Sequence, residues 1–351
     1  MTIEQHIWGA TPEGEAIVIY TMRNALGSEV RLSNIGAGIV SVKFADRNGK
    51  VDDVVLGYSD PMSYFGDGAA AGKTVGRVAN RIAKGHMEIQ GVEYRLEINN
   101  GENHLHGGSK GFMNRLWESS VETNRVVFSL LSDDMDQGYP GEVNAQVVYD
   151  FDDENSLEIT LLAKTDKTTV VNLTNHTYWN LDGENSGSVL DHVLRLNCSN
   201  VLEMTGTQVP TGKLLDVKQT PMDFTRPRAF REGITSSFNH ITDFKGYDHF
   251  FVMDGWQKNI LSPLGTLYSK KSGRKVDILT SQPGCMVYTG NYLASGCPVT
   301  KSGTRYEDYS GVAIECQGYP DAVNHPQFPS VILKEGELYC NKIVFRLGIG
   351  D

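Results

Sequence analysis

Ile39-Val40-Ser41-Val42-Lys43-Phe44-Ala45-Asp46-Arg47-Asn48-Gly49-Lys50-Val51-Asp52-Asp53-Val54-Val55-Leu56 is the stretch from which the fold is read. Residues 39–44 and 51–56 are strand-like runs, and between them Asn48-Gly49 offers the positive φ angles of a tight hairpin turn. The same grammar recurs outward along the chain. Residues 86–89 and 93–98 surround Gln90-Gly91, and residues 143–151 and 157–163 surround the polar turn Asp152-Asp153-Glu154-Asn155. Further strands are predicted at 125–131, 170–173, 193–197, 275–280, 286–290, 311–315 and 342–347. Long stretches with the three-to-four spacing of an amphipathic helix are scarce. Many short strands and 37 glycines predict an all-β protein. A large antiparallel β-sandwich or barrel is favoured over alternating βα units. No linker or repeat breaks the chain, so residues 1–351 are read as one domain.

Composition narrows the function. With 40% hydrophobic and 21% charged residues, 351 residues can bury a substantial core. A formal net charge of -11 without clustered Lys and Arg argues against a nucleic-acid partner. No apolar run reaches the roughly 18 residues that span a bilayer, and residues 1–10 lack the basic start and apolar block of a signal peptide. The five cysteines at 198, 285, 297, 316 and 340 are widely spaced with no Cys-x-x-Cys. They fit thiols in a reducing compartment. A cytoplasmic protein, monomeric or weakly dimeric, with no membrane partner is expected. No Gly-x-Gly-x-x-Gly or Walker-type loop is present, so no nucleotide cofactor is expected.

Two segments carry the chemistry. Asn175-His176-Thr177-Tyr178-Trp179-Asn180 and Ile314-Glu315-Cys316-Gln317-Gly318-Tyr319-Pro320 place an imidazole and a carboxylate among aromatics and amides. Such a pair can exchange protons across a small polyol, with Tyr and Trp stacking on a pyranose and the amides binding hydroxyls. A carboxylate in an apolar strand is costly to bury alone, so a salt bridge or a function must account for Glu315. His176 could equally be a buried histidine satisfied by a carbonyl. Gly76-Arg77-Val78-Ala79-Asn80-Arg81 offers an arginine fork around an amide, for hydroxyls or for ordinary salt bridges. In Asn103-His104-Leu105-His106-Gly107-Gly108 the two histidines would share a strand face and could chelate a metal. The following glycines favour a close backbone approach and a direct substrate contact instead, and no metal is expected. Asp248, in Gly246-Tyr247-Asp248-His249-Phe250-Phe251, reads as a hydroxyl binder or as a turn carboxylate capping its own backbone.

Taken in order, these segments resemble the aldose 1-epimerase (galactose mutarotase) family. The ordered set comprises Gly76 to Arg81, Leu105-His106-Gly107-Gly108, Asn175 to Leu181, Pro221-Met222-Asp223-Phe224, Tyr247-Asp248-His249, Gln282-Pro283-Gly284 with Tyr288-Thr289-Gly290-Asn291, and Glu315 with Pro320-Asp321. The resemblance implies an antiparallel supersandwich that interconverts α and β anomers of free hexoses, such as galactose and glucose, without a cofactor. It implies Glu315 as the base at the anomeric hydroxyl, His176 as the acid at the ring oxygen, and His106 as their assistant. It further implies that Asn80, Arg81, Thr177, Tyr178, Asp248 and Gln282 fix the sugar. Cys316, Cys285 and the run Ala322-Val323-Asn324-His325 depart from the usual pattern, and that run is expected to line the mouth of the site. Three alternatives are a phosphorylated or oligomeric sugar met by Lys110, Lys301 or Arg305, a binding module without turnover, and glycoside hydrolysis with Asp248 as second carboxylate.

Overall fold

The computed structural model describes residues 1–350. Its largest sheet is antiparallel and has nine strands, in the order Glu118–Glu122, Arg125–Ser132, Val143–Phe151, Ser156–Thr165, Tyr339–Ile349, Arg274–Thr280, Ser262–Tyr268, Val193–Leu196 and Arg228–Ala229. A six-stranded antiparallel sheet runs Tyr178–Trp179, Val312–Gln317, Gly284–Tyr288, Asp248–Val252, Asn200–Met204 and Pro210–Asp216. An N-terminal meander of five strands runs from Thr2–Ala10 to Val51–Asp53.

Strand alternation decides what faces the core. In Val143–Phe151 every second side chain is buried. Val143, Ala145, Val147, Tyr149 and Phe151 join Leu157, Ile159 and Leu161 in one apolar cluster. That cluster extends from Tyr20 to Leu347 and takes in Cys285, Val287, Val312, Ile314 and Cys316 of the six-stranded sheet. Because side chains alternate, Glu315, paired with Met286, lies on the opposite face of that sheet, and so does Tyr288. The face turned from the main core is therefore where the polar chemistry stands.

Some expectations need correction. In the first hairpin only Gly49 takes a positive φ, of 81°, while Asp46 Oδ1 accepts the amides of Asn48 (2.8 Å) and Lys50 (2.9 Å). An aspartate-capped turn thus replaces the tight Asn-Gly turn. The strand expected at 170–173 divides into Thr169–Val170, paired with Ile332–Leu333, and Thr174–Asn175, paired with Thr74–Val75. Between them Leu173 donates its amide to Tyr339 Oη (2.9 Å). Among the described residues no helix is long and apolar enough to cross a membrane.

Candidate active site

A cavity of about 770 Å³ opens on the outer face of the six-stranded sheet, and Glu315, His176, His106, Arg81 and Asp248 all line it. His176 follows the short strand Thr174–Asn175, where its amide donates to the Lys73 carbonyl (2.9 Å) and its carbonyl accepts from Gly72 N–H (3.0 Å). Its backbone is thus clamped before the side chain makes any contact. Its Nε2 lies 3.3 Å from Glu315 Oε1, with the two side chains 6% and 3% exposed. His176 Nδ1 and Glu315 Oε2 have no partner among the described residues.

Burial sets the proton affinities of this pair. It holds the His176 imidazole down to about 4, aided by the Lys73 ammonium. It also pushes the Glu315 carboxyl well above the usual carboxylate range, with Asp248 adding to the rise and Arg81 opposing it. Both shifts favour a pair that carries one proton and no net charge. Lys73 is itself buried, donating to the Tyr64 carbonyl (2.5 Å) and to Asp67.

His106 is positioned by a crossing of two backbones. Its amide donates to the Asn80 carbonyl (3.1 Å), and its Nδ1 accepts the Asn80 amide (3.1 Å). That bond fixes the remaining proton of the neutral ring on Nε2. Gly107 permits the crossing: its φ is +82°, and a Cβ there would lie 1.9 Å from the Gly76 carbonyl oxygen. The His106 and His176 rings meet edge-on at 5.5 Å. His104 is different. Its Nδ1 is 2.7 Å from the Glu97 carbonyl and its Nε2 is 2.7 Å from Tyr139 Oη, so His104 and His106 do not share one face as a pair. The metal-capable grouping is instead His106, His176 and Glu315, whose ligand atoms lie within 4.8 Å of one another.

The arginine fork also divides. Arg77 is a buried strut, donating to the carbonyls of Pro140 (3.0 Å) and Gly141 (2.9 Å) and to Ser132 Oγ (2.7 Å). Arg81 faces the cavity, with Nε on Asn100 Oδ1 (3.0 Å) and Nη2 on Gln208 Oε1 (2.5 Å). Asp248 begins the strand Asp248–Val252 opposite Tyr288 and accepts from Gln208 Nε2 rather than capping its own turn. Burial raises the Asp248 carboxyl, and the Arg81 charge and the Gln208 hydrogen bond lower it. Tyr178 lines the cavity, its ring 5.0 Å from that of His176. Asn80 lines it too, its Oδ1 accepting the Arg81 amide (2.8 Å).

Four sequence expectations point elsewhere. Thr177 is buried, its hydroxyl donating to Asn175 Oδ1 (2.6 Å), so it braces the His176 turn and does not line the cavity. Trp179 packs in the core against Phe345 at 5.0 Å, so it offers no face to a sugar. Gln282 precedes the strand Gly284–Tyr288, whose other end reaches the site, and it lines a separate cavity of about 410 Å³ with Trp256 and Tyr339. Gln282→Ala is therefore expected to leave the KM for galactose within about twofold, since no hydrogen bond to sugar is lost. Steady-state kinetics decide this, and a tenfold rise would return Gln282 to the site. The run 322–325, expected at the mouth of the site, does not line the main cavity. Instead Asp321 donates its amide to the Arg81 carbonyl (3.0 Å) and accepts from Ala83 N–H (3.1 Å), buttressing the arginine from behind. Gln208, Asn100 and Tyr288 line the cavity and were not expected. Gln208 and Asn100 stand in polar turns whose composition matches any solvated loop, so no local signal marks them.

The chain is similar to known proteins over nearly its whole length. The family model described as aldose 1-epimerase matches residues 18–346. Galactose mutarotase of Bos taurus is 37% identical, with 99% of each chain covered. Aldose 1-epimerase of Haemophilus influenzae is 38% identical over 98% of this chain and 99% of that one. The solved GalM/aldose epimerase homologue from C. elegans superposes with a TM-score of 0.87 at 33% identity, covering 94% of this chain and 98% of that chain. Galactose 1-epimerase from Lactobacillus acidophilus, 24% identical with full coverage of both chains, superposes with a TM-score of 0.86. An antiparallel supersandwich matching this family along nearly its whole length defines a class of sugar isomerase. This chain belongs to the aldose 1-epimerase family.

Proposed function

We propose that the protein interconverts the α and β anomers of free hexoses such as galactose and glucose, with Glu315 as base and His176 as acid. The observation that carries this reading is the 3.3 Å contact between His176 Nε2 and Glu315 Oε1 on a cavity wall. In the productive form the pair's single proton is on His176. Glu315 takes the proton from the anomeric hydroxyl while His176 delivers its own to the ring oxygen, and the C1–O5 bond breaks. The open aldehyde turns about C1–C2. His176 then removes the proton from the C5 hydroxyl as that oxygen attacks C1, and Glu315 protonates the new anomeric oxygen. Protons balance and both groups return to their starting states. Nε2–H of His106 is placed to donate to an oxygen near the anomeric centre, and Arg81, Asn80, Tyr178 and Asp248 hold the hydroxyls.

The phosphosugar alternative loses support, because Lys110, Lys301 and Arg305 do not line the cavity and Lys301 is spent on Asp53 (2.7 Å) and on the carbonyls of Val40 (3.0 Å) and Val55 (2.7 Å). A monomer or weak dimer in the cytoplasm is part of the same reading, and five free thiols support the reducing compartment. Polarimetry of freshly dissolved α-D-galactose is the test. Relaxation should accelerate in proportion to protein and be unchanged after dialysis against a chelator, since no step uses an ion. No acceleration with galactose or glucose would overturn the function. A rate lost to the chelator and restored by a divalent ion would assign His106, His176 and Glu315 to a metal instead, and release of reducing sugar from a glycoside would favour hydrolysis.

A further inference from the structure

We propose that Gln208 is a positioning residue for the sugar, its carboxamide holding the Arg81 guanidinium and the Asp248 carboxylate apart so that hydroxyls can enter between them. This rests on the sugar-isomerase reading above. Arg81 Nη2 donates to Gln208 Oε1 at 2.5 Å, and Gln208 Nε2 donates to Asp248 Oδ2. One amide thus spans a cation and an anion that make no direct ion pair among the described residues. A buried guanidinium and carboxylate left to themselves close into a two-pronged pair. Such a pair would use the donors and acceptors that a diol needs. With the amide between them, Arg81 Nη1 and Asp248 Oδ1 remain without a protein partner among the described residues, on the wall of the cavity that holds Glu315.

The turn that carries Gln208 is built to hold it. It joins the strands Asn200–Met204 and Pro210–Asp216, closed by Thr205 N–H on the Val209 carbonyl (2.8 Å) and Gln208 N–H on the Thr205 carbonyl (3.0 Å). Gln208 takes a φ of +60°, a conformation that a side-chain-bearing residue seldom adopts. Asn103 Nδ2 reaches across to the Thr207 carbonyl (3.0 Å) and ties the turn to the loop whose Asn100 holds the other edge of Arg81.

The test compares Gln208→Gly and Gln208→Asn with the wild type. Glycine accepts the backbone angle and deletes the amide. Asparagine tolerates the angle and keeps an amide one carbon too short to span the gap. Both should melt with the wild type and show a galactose KM raised by about tenfold or more, with kcat changed less than about threefold, the loss expected for hydrogen bonds to charged groups. Calorimetric Kd should follow KM. Across 2-, 3-, 4- and 6-deoxygalactose, at least one sugar that the wild type binds more weakly than galactose should become indistinguishable from galactose in the variants. An unchanged KM and Kd in Gln208→Gly would overturn the proposal, and so would an equal loss for galactose and every deoxy sugar. Kd reads binding alone, so an inactive wild type would sink the isomerase reading without deciding this one.

Discussion

Glu315→Gln is expected to lower kcat for galactose mutarotation by roughly 100- to 10,000-fold, the range for loss of a positioned proton-transfer group, while KM moves less than about threefold. The amide keeps the shape of the carboxyl and can still accept a hydrogen bond, but it cannot take the anomeric proton. The same substitution should stabilise the protein at neutral pH. Burial raises the folded pKa of Glu315 above its ordinary value of 4.5. The folded state therefore retains a proton that the unfolded chain gives up, and stability falls as pH rises from about 4.5 through the folded value. A glutamine has no such term. Its melting temperature should exceed the wild type's at pH 7, and the excess should shrink as pH approaches 4. Polarimetry and calorimetric melting on one preparation give both readings. Turnover close to the wild type would remove Glu315 from the role of base and leave Asp248, another carboxyl on the cavity wall, to be tried in its place.

How legible this was in the sequence varied with how local each cause is. The strand Val143–Phe151 could be bounded because only the outward Val148 breaks its apolar–polar alternation. Thr2–Ala10 was not among the expected strands, because its side chains are mostly exposed and no period-two signal marks it. Sheet order was out of reach as well. Tyr339–Ile349 inserts between Ser156–Thr165 and Arg274–Thr280, partners far away in sequence that no local pattern names. In the site, Glu315 drew attention as a carboxylate in an apolar strand, and His176 as a histidine in a run of amides and aromatics. The fold brings both to one wall because alternation turns Glu315 away from Ile314 and Cys316. The separate fates of Arg77 and Arg81, or of His104 and His106, depend on what packs behind each residue. Tyr139 meets His104 and its carbonyl lies beside Arg77, and nothing in the local motif shows that.

His176→Asn should lose turnover on the scale of Glu315→Gln, and the pH dependence of the residue left behind identifies what was lost. In the wild type the pair works while it holds one proton. Below about 4, where His176 titrates, both groups are protonated and no base remains. Above the raised pKa of Glu315 the pair has lost its proton and no acid remains. The profile of kcat/KM is therefore a bell, with its acid limb near 4 and its alkaline limb well above the ordinary carboxylate range, and the two limbs belong to the pair jointly. In His176→Asn the acid is water at every pH, and Glu315 acts alone as base. Its residual rate should climb with pH through the Glu315 pKa and level off where the wild type declines, so the alkaline limb reverses direction. A merely structural histidine predicts a lower bell of unchanged shape, because the titrating pair would lie elsewhere. Stopped-flow polarimetry from pH 4 to 9, corrected at each pH for the buffer rate, separates the two, and a variant that keeps the falling alkaline limb would show that His176 is not the acid.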